Sequence, residues 1–284
     1  MTDGAEKGGA TAALDVGDDA FRAVADASGF RLEYRMPPVL HGALDAVLLC
    51  RGPLLDGTDG IPRNILPRIE GHLQGRALIA PWQVHGTAIV PGRRIWALPQ
   101  RVRADGIHLD RAFDRHGSVA GSLRFGDCLP VLLASAKPRP WAMLLHSGFR
   151  GTLRNIFRAA WDKARRDYGE CAFAPDDVHV WIGPGICADC YTRKRDDPTT
   201  ARMFAAWPRA LYRESGDLVH IALVEALRWQ ARCCGIPDGN IHRLSLCTRC
   251  RRDLFYSYRA GDVDDRMILV AKLWNAMPQF ANDL

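Results

Sequence analysis

The sequence predicts a single α+β domain, and two observations lead to this expectation. Short apolar runs bounded by Gly, Pro or Asp recur along the chain, as is typical of buried strands, and amphipathic stretches of helical periodicity lie among them. The chain has 284 residues, of which 48% are hydrophobic and 25% are charged, enough for a substantial core. This composition excludes wholesale disorder, a collagen-like fibre and a small disulfide scaffold. No internal repeat or Pro-rich linker divides the chain after residue 25.

The elements are expected in the following order. Residues 1–24, rich in Gly, Ala and Asp, are expected to form a flexible leader before a domain that spans residues 25–284. Apolar runs predict strands at 46–50, 77–80, 94–97, 121–123, 129–134, 141–146 and 178–182. Helices are predicted at 152–168, where apolar residues share one face, at 218–234, before Gly235 and Pro237, and at 266–276.

Composition also limits the partners and the compartment. The longest apolar runs are too short to span a bilayer, and the N-terminus lacks the basic and apolar regions of a secretory signal. Nine cysteines without an export signal indicate a reducing cytoplasm, where thiols act as metal ligands or nucleophiles. The net charge of +6 is not concentrated in a basic block, so an anionic small molecule is favoured over nucleic acid as the partner. We expect a cytoplasmic monomer or homodimer that does not bind membranes.

Three segments place a candidate metal ligand beside tight-turn residues: QVHG at 83–86, GDCLP at 126–130 and HSGFRG at 146–151. Cys128 opens one predicted strand and His146 closes the next, so both side chains lie at one sheet edge if these strands are neighbours. With His85, these residues supply two imidazoles and one thiolate. This ligand set suits zinc and leaves a fourth tetrahedral position for water or substrate. The spacing alone leaves open a simpler interpretation, two core histidines and a buried thiol.

Two further groups of residues have chemical potential. Cys187-x-x-Cys190 and Cys247-x-x-Cys250 together resemble a four-cysteine zinc site. The guanidinium groups of Arg150 and Arg259 offer planar forks of donors that suit phosphate, although single arginines more often form surface ion pairs.

Several motifs occur together and in one order: WQVHG at 82–86, ADG at 104–106, DCLPVLL at 127–133, HSGFRG at 146–151, IGP at 182–184, CY at 190–191, CTRC at 247–250 and FYSYR at 255–259, followed by Arg266. On these motifs the chain resembles the YfiH-type laccase-domain family, also called multicopper polyphenol oxidase-like proteins or purine nucleoside phosphorylases. The resemblance covers roughly residues 45–275. It implies a mixed β-sheet sandwich flanked by helices in α/β/β/α layers, with His85, Cys128 and His146 as the metal ligands.

The chain departs from the family pattern around these motifs. Residues 125–126 are Phe-Gly instead of Thr-Ala, Phe149 replaces Trp, and residues 192–193 are Thr-Arg instead of Glu-Val. The family's N-terminal segment, which lines the pocket, is reduced to Arg51-Gly52-Pro53. The resemblance therefore implies a retained metal site with altered substrate specificity. The family has cysteines matching Cys190, Cys247 and Cys250 without a recognised structural zinc.

The resemblance implies a zinc enzyme that cleaves adenosine or inosine with phosphate, or deaminates adenosine. The implied catalytic residues are Cys128, Asp127 as proton donor or orienting group, and Arg150 as phosphate ligand. The implied substrate-binding residues are Gln83, Arg51, Arg259 and Arg266.

Three alternatives remain open at this point. One is copper oxidation of phenols, with copper in place of zinc, although a four-copper cluster needs His-x-His pairs that the sequence lacks. Another is a metal-free hydrolase or amidase, such as a peptidoglycan-precursor editing enzyme, with Cys128 as nucleophile and His146 or His85 as base. The last is a binding protein with a degenerate pocket.

Overall fold

The computed structural model describes residues 19–92, 101–112, 114, 116–169 and 172–274, and these ranges contain fifteen strands and six α-helices. The strands are β1 (Phe21–Asp26), β2 (Gly29–Tyr34), β3 (Leu44–Leu49), β4 (Ala77–Ile79), β5 (Ile89–Pro91), β6 (Gly106–Asp110), β7 (Val119–Phe125), β8 (Leu129–Ser135), β9 (Trp141–Ser147), β10 (Val178–Ile182), β11 (Thr192–Lys194), β12 (Tyr212–Ser215), β13 (Leu218–Ile221), β14 (Ile241–Arg243) and β15 (Met267–Leu273). The helices are α1 (Pro62–Ile65), α2 (Glu70–Leu73), α3 (Phe149–Leu153), α4 (Ile156–Tyr168), α5 (Pro198–Ala206) and α6 (Leu223–Cys233).

Two six-stranded mixed sheets form the body of the described chain. Their strand orders are β1-β2-β3-β15-β7-β4 and β14-β10-β8-β9-β6-β5. A third, smaller sheet has three strands in the order β11-β13-β12. Most neighbours are antiparallel, whereas β4 with β7, β5 with β6 and β10 with β14 are parallel. The predicted α+β class with mixed sheets is confirmed.

Strands β8 and β9 are buried on both faces because the second sheet lies between the first sheet and the helices. Alternate side chains of a strand point to opposite faces. Leu132 and Leu144 belong to the core shared with the first sheet, and Val131 and Leu145 belong to the core beneath the helices. The uninterrupted apolar runs in the sequence therefore reflect burial on two sides.

The helices α3, α4 and α6 cover the second sheet. The helix predicted at 152–168 is two helices, because Asn155 adopts a left-handed conformation (φ 59°) between them. The Asn155 side chain then caps α4 by accepting a hydrogen bond from the Arg158 backbone N–H. Among the described residues, no helix is long and apolar enough to cross a membrane.

Two helix predictions need correction. The helix predicted at 218–234 begins only at Leu223, because residues 218–221 form β13 between β11 and β12. The helix predicted at 266–276 is wrong over residues 267–273, which form β15. This strand is central in the first sheet, between β3 and β7, and Ile268 and Val270 are β-branched residues that favour strands.

The remaining predictions concern the N-terminal segment and the strands. Strand β1 begins at Phe21, so the end of the segment expected to be a flexible leader pairs with β2. The strand predicted at 94–97 lies outside the described residues. The strands predicted at 46–50, 77–80, 121–123, 129–134, 141–146 and 178–182 correspond to β3, β4, β7, β8, β9 and β10.

Candidate metal centre

The structure brings His85, Cys128 and His146 together at one edge of the second sheet. One potential ligand atom from each side chain lies within 4.8 Å of the other two. The distance from His85 Nε2 to Cys128 Sγ is 3.7 Å, and the two imidazole centroids are 4.9 Å apart. A tetrahedral ion bound at about 2.0–2.3 Å separates such ligand atoms by roughly 3.3–3.8 Å. The three side chains therefore fit one small tetrahedral ion and leave one coordination position open.

Strand register explains how Cys128 meets His146. Strands β8 and β9 are antiparallel, and Pro130 pairs with His146 while Leu129 pairs with Ser147. Cys128 immediately precedes β8, so the register continues to place it beside the residues that follow β9. The two strands are neighbours, so the condition under which both side chains share one sheet edge is met.

Asp105 organises the third ligand and its loop. Its carboxylate accepts hydrogen bonds from the backbone N–H groups of Val84 (3.1 Å), His85 (2.8 Å) and Gly86 (2.7 Å). His85 itself adopts a left-handed conformation (φ 57°), which these bonds help to hold. The Asp105 carboxylate is also 2.8 Å from His146 Nδ1. Since Nδ1 is occupied by Asp105, Nε2 is the nitrogen of His146 that is available to a metal.

Gly148 permits the close approach of the ligands. A Cβ atom at this position would lie 2.5 Å from Cys128 Sγ and 3.0 Å from His85 Cδ2. Its φ of −85° is allowed for any residue, so space rather than backbone conformation requires glycine here. The HSG sequence therefore provides one candidate ligand, His146, and two residues later the space that His85 and Cys128 need.

Charge at the site is distributed between the thiol and an imidazole. Burial raises the pKa of Cys128, but His146 and His85 outweigh this effect and lower the pKa to about 6. Burial lowers the pKa of His146, but Cys128 and Asp105 outweigh it and raise the pKa to about 9. Without metal, the site at neutral pH holds a thiolate beside an imidazolium. The thiolate is the form that binds zinc.

We expect Cys128 to react with iodoacetamide as a thiolate when the protein is stripped of metal. The rate should fall as the pH decreases through about 6, because protonation of the thiolate removes the nucleophile and the pKa is lowered to about 6. Mass spectrometry of the Cys128 peptide measures the rate, and added zinc should suppress it. The exposed Cys233 is the control thiol in the same digest. A midpoint near pH 9 for Cys128 would contradict the described charge distribution.

Asp127 braces the segment that follows β14. Its carboxylate accepts hydrogen bonds from the hydroxyls of Thr248 and Ser257, both at 2.7 Å, and from the Arg259 backbone N–H at 2.8 Å. The side chain is largely buried. These hydrogen bonds make Asp127 suited to orient the segment of Thr248, Ser257 and Arg259 beside Cys128.

The arginines and the glutamine expected to bind substrate have different surroundings. The Gln83 amide pairs with the backbone N–H and C=O of Arg124, both at 2.8 Å. Arg51 donates to Asp262 (2.6 Å) and to a backbone carbonyl, and Arg266 donates to three carbonyls of its own loop. Arg150 is exposed in α3.

Arg259 contacts the neighbouring loop while remaining exposed. Its guanidinium lies 4.9 Å from the centre of the Tyr191 ring and donates to the Thr192 carbonyl at 3.4 Å. Arg150 and Arg259 are therefore the predicted anion ligands that solvent reaches most freely.

Sequence reasoning assigned no role to three residues near the centre. Asp105 lies in the ADG motif at 104–106, but its hydrogen bonds depend on the fold. Trp82 and Tyr258 are large aromatic residues that are 56% and 58% exposed. Trp82 is three residues before His85, and Tyr258 packs against Gly126, where a Cβ would lie 3.4 Å from the Tyr258 Cβ. A guanidinium lies over each ring, that of Arg101 5.0 Å from the Trp82 centroid and that of Arg266 5.8 Å from the Tyr258 centroid, so at most one face of each ring is open to a planar ligand.

A family model and curated relatives resemble this chain. The model described as multi-copper polyphenol oxidoreductase laccase matches residues 63–273. The chain is 32% identical over 160 residues to the purine nucleoside phosphorylase YlmD of Geobacillus stearothermophilus, an alignment that covers 55% of this chain and 54% of YlmD. It is 26% identical over 219 residues to a purine nucleoside phosphorylase of Bacteroides thetaiotaomicron, covering 75% of this chain and 80% of that protein. The chain thus spans about half the length of YlmD in the first alignment.

Solved structures share the fold. The protein YfiH of Bacillus licheniformis superposes with a TM-score of 0.74 at 22% identity, over 90% of this chain and all of that chain. YlmD of Geobacillus stearothermophilus superposes with a TM-score of 0.70 at 24% identity, over 87% of this chain and 97% of that chain. At these identities the likeness establishes the architecture.

Proposed function

Because the chain belongs to the family described as multi-copper polyphenol oxidoreductase laccase, we propose that it is a zinc-dependent enzyme that cleaves purine nucleosides with phosphate. The observation that carries the proposal is the group formed by His85, Cys128 and His146, with His146 held by Asp105. Curated relatives of this chain are named purine nucleoside phosphorylases, which supports the substrate class.

The donor set favours zinc over copper. Two imidazoles and one thiolate with an open fourth position are typical of a catalytic zinc, which acts as a Lewis acid and lowers the pKa of bound water. A blue-copper centre requires a weak axial ligand in addition, and a multicopper cluster requires further histidines. The chain has nine histidines and no His-x-His pair. Metal analysis of protein purified without added metal distinguishes the two ions directly.

In the proposed reaction a phosphate oxygen attacks C1′ of the ribose. The bond from C1′ to the base nitrogen breaks, its electron pair leaves with the base, and a proton joins the base, which gives free purine and ribose 1-phosphate. Arg150 and Arg259 are proposed to hold phosphate because their exposed guanidinium groups supply planar donors. Asp127 is proposed to position Arg259 through its backbone, since its oxygens already accept three hydrogen bonds.

The base is proposed to stack on the exposed aromatic residues beside the centre. Tyr258 lies against Gly126, and Trp82 begins the segment that carries His85. The purine is proposed to stack on the ring face that Arg101 or Arg266 does not cover.

The decisive experiment incubates the protein with inosine or adenosine, with and without phosphate, and follows the products by chromatography. Phosphate-dependent release of hypoxanthine or adenine with ribose 1-phosphate supports phosphorolysis, and inosine with ammonia from adenosine reveals deamination. Absence of both products above a Cys128→Ala control overturns the assignment. Parallel assays for phenol oxidation and for amide hydrolysis test copper oxidase and cysteine hydrolase activity.

Replacing Arg150 and Arg259 together by glutamine is expected to raise the KM for phosphate about 100-fold or more. Hydrogen bonds to charged groups contribute roughly 1.5–3 kcal/mol each, and the nucleoside KM should change little. Steady-state kinetics with each substrate varied in turn measure the two constants. The control is Arg158→Gln, since this exposed arginine pairs with Asp162 on α4. An unchanged phosphate KM would contradict the assigned role of the two arginines.

A further inference from the structure

Four cysteines form a second cluster outside the candidate metal centre. Cys187 and Cys190 lie in the loop after β10, and Cys247 and Cys250 lie in the loop after β14. Strands β10 and β14 are parallel neighbours, so both loops leave the sheet at the same edge. The four Sγ atoms lie within 4.8 Å of one another. Two C-x-x-C turns, sixty residues apart, are thus folded against each other.

The local backbone folds each C-x-x-C pair into a tight turn. The N–H groups of Cys190 and Tyr191 donate to the Cys187 carbonyl at 3.1 and 2.9 Å, and the Arg251 N–H donates to the Cys247 carbonyl at 3.0 Å. These tight turns direct both thiols of each pair to one side. The Cys187 N–H also donates to Cys247 Sγ at 3.3 Å, a contact that stabilises a thiolate.

The sulfur separations are too long for a disulfide and are compatible with a tetrahedral ion. Cys190 Sγ and Cys250 Sγ are 3.5 Å apart, and all four cysteines are free. Four thiolates at about 2.3 Å from zinc lie roughly 3.8 Å from one another, whereas bonded sulfurs are about 2.0 Å apart. Cys250 is exposed and Cys190 is half-buried, which is unusual for cysteines that serve only as core packing.

We propose that Cys187, Cys190, Cys247 and Cys250 bind a structural zinc ion that joins the loops after β10 and β14. A four-thiolate site is coordinatively closed, so it supplies stability and no open position for substrate. Arg249 is placed to offset part of the negative charge, because it donates to the Cys190 carbonyl at 3.3 Å.

The ion would secure the wall of the first metal centre. Thr248, between the two cysteines of the second turn, donates its N–H to the Gly185 carbonyl (3.2 Å) and its hydroxyl to Asp127 (2.7 Å). The Ile186 N–H donates to the Asp127 carbonyl at 3.1 Å. Asp127 precedes Cys128 in the chain. Joining the two loops therefore fixes the residues that orient Asp127.

Metal content separates this site from the first one. Wild-type protein, purified without added metal and without chelator, is expected to contain two zinc ions per chain. Cys128→Ala should retain one ion, and the double variant Cys190→Ser/Cys250→Ser should also retain one. If the first centre binds no zinc, the wild type and Cys128→Ala contain one ion each and the double variant contains none. Failure of the proposed function is therefore distinguishable from failure of this inference.

Two additional measurements keep the test independent of misfolding. The single variant Cys250→Ser changes an exposed side chain and should release zinc to a chromophoric chelator at least tenfold faster than wild type, while Cys233→Ser, another exposed cysteine, should behave as wild type. Cobalt added to metal-free Cys128→Ala protein should give the intense near-ultraviolet absorption of thiolate ligands. Equal zinc content in wild type and the folded double variant, or absence of zinc and of cobalt–thiolate absorption in Cys128→Ala, would overturn the proposal.

Discussion

Replacing Cys128 by alanine is expected to remove the ion from the first metal centre and to lower kcat/KM for phosphorolysis by at least about 1000-fold. This corresponds to about 4 kcal/mol of lost transition-state stabilisation. The remaining imidazoles of His85 and His146 provide two ligands, too few for a stable zinc site at neutral pH. The side chain is small and partly exposed, so the fold should persist. Zinc analysis and steady-state kinetics on the same preparation measure both effects.

A rescue variant distinguishes a ligand from a nucleophile at this position. Cys128→His restores three nitrogen ligands, a set that holds catalytic zinc in other enzymes, and should recover part of the zinc content and activity of Cys128→Ala. If Cys128 instead acts as a nucleophile that forms a covalent thioester, Cys128→His should recover no activity. Cys233→Ser is the control for an exposed cysteine on α6. Wild-type activity in a zinc-free Cys128→Ala protein would show that the centre does not act in the reaction.

The three candidate ligands of the first centre followed from the family resemblance, because their spacing alone left open two core histidines and a buried thiol. Each lies in a short motif with tight-turn residues, and Cys128 and His146 share one sheet edge on the condition that the strands predicted at 129–134 and 141–146 are neighbours. Their register places Cys128 beside His146. The approach of His85 could not be predicted in this way, because it depends on the left-handed backbone of its loop and on Asp105, twenty residues later.

Periodicity alone could not identify β15. Residues 267–273 read MILVAKL, and a short run of this kind fits a buried helix as well as a strand buried on both faces. The fold decides between them, because this segment lies between β3 and β7, where both backbone edges are hydrogen-bonded. Periodicity also could not predict the break at Asn155. The apolar face of the predicted helix continues across this residue, whereas its left-handed conformation divides the helix.

The roles of the polar side chains depend on contacts between residues that are distant in the sequence, so the sequence alone could not predict them. Gln83 binds the backbone of Arg124, and Arg51 binds Asp262. A motif identifies such residues as characteristic of the family without showing whether they face a ligand or brace the protein. The same limit applies to the two C-x-x-C turns, which only the pairing of β10 with β14 brings together.

Replacing Asp105 by asparagine is expected to weaken zinc binding at the first centre by about 10–100-fold, because a carboxylate that hydrogen-bonds to a ligating histidine orients it to that degree. Both carboxylate oxygens accept hydrogen bonds, one from His85 N–H and His146 Nδ1, and the other from Gly86 N–H. An asparagine must turn its NH₂ group toward one of these sides, which opposes donor to donor and leaves buried groups unsatisfied at a cost of about 1–3 kcal/mol. The imidazole of His146 and the loop of His85 then lose their common support. Competition with a chelator of known affinity measures the zinc binding.

The control for this variant is Asp110→Asn, five residues later at the end of β6. Asp110 is as deeply buried as Asp105 and accepts hydrogen bonds from Arg139 at 2.8 and 3.0 Å, but it contacts neither candidate ligand loop. Burial raises the pKa of each aspartate, yet the hydrogen bonds outweigh it and hold both pKa values below the ordinary range. Both variants should therefore unfold more readily than wild type at neutral pH, since the stability that an ionised carboxylate contributes is present above its unfolded pKa. Only Asp105→Asn should also lose zinc affinity and kcat. An equal loss of zinc affinity in the two variants would show that Asp105 acts through general stability rather than by positioning His146 and His85.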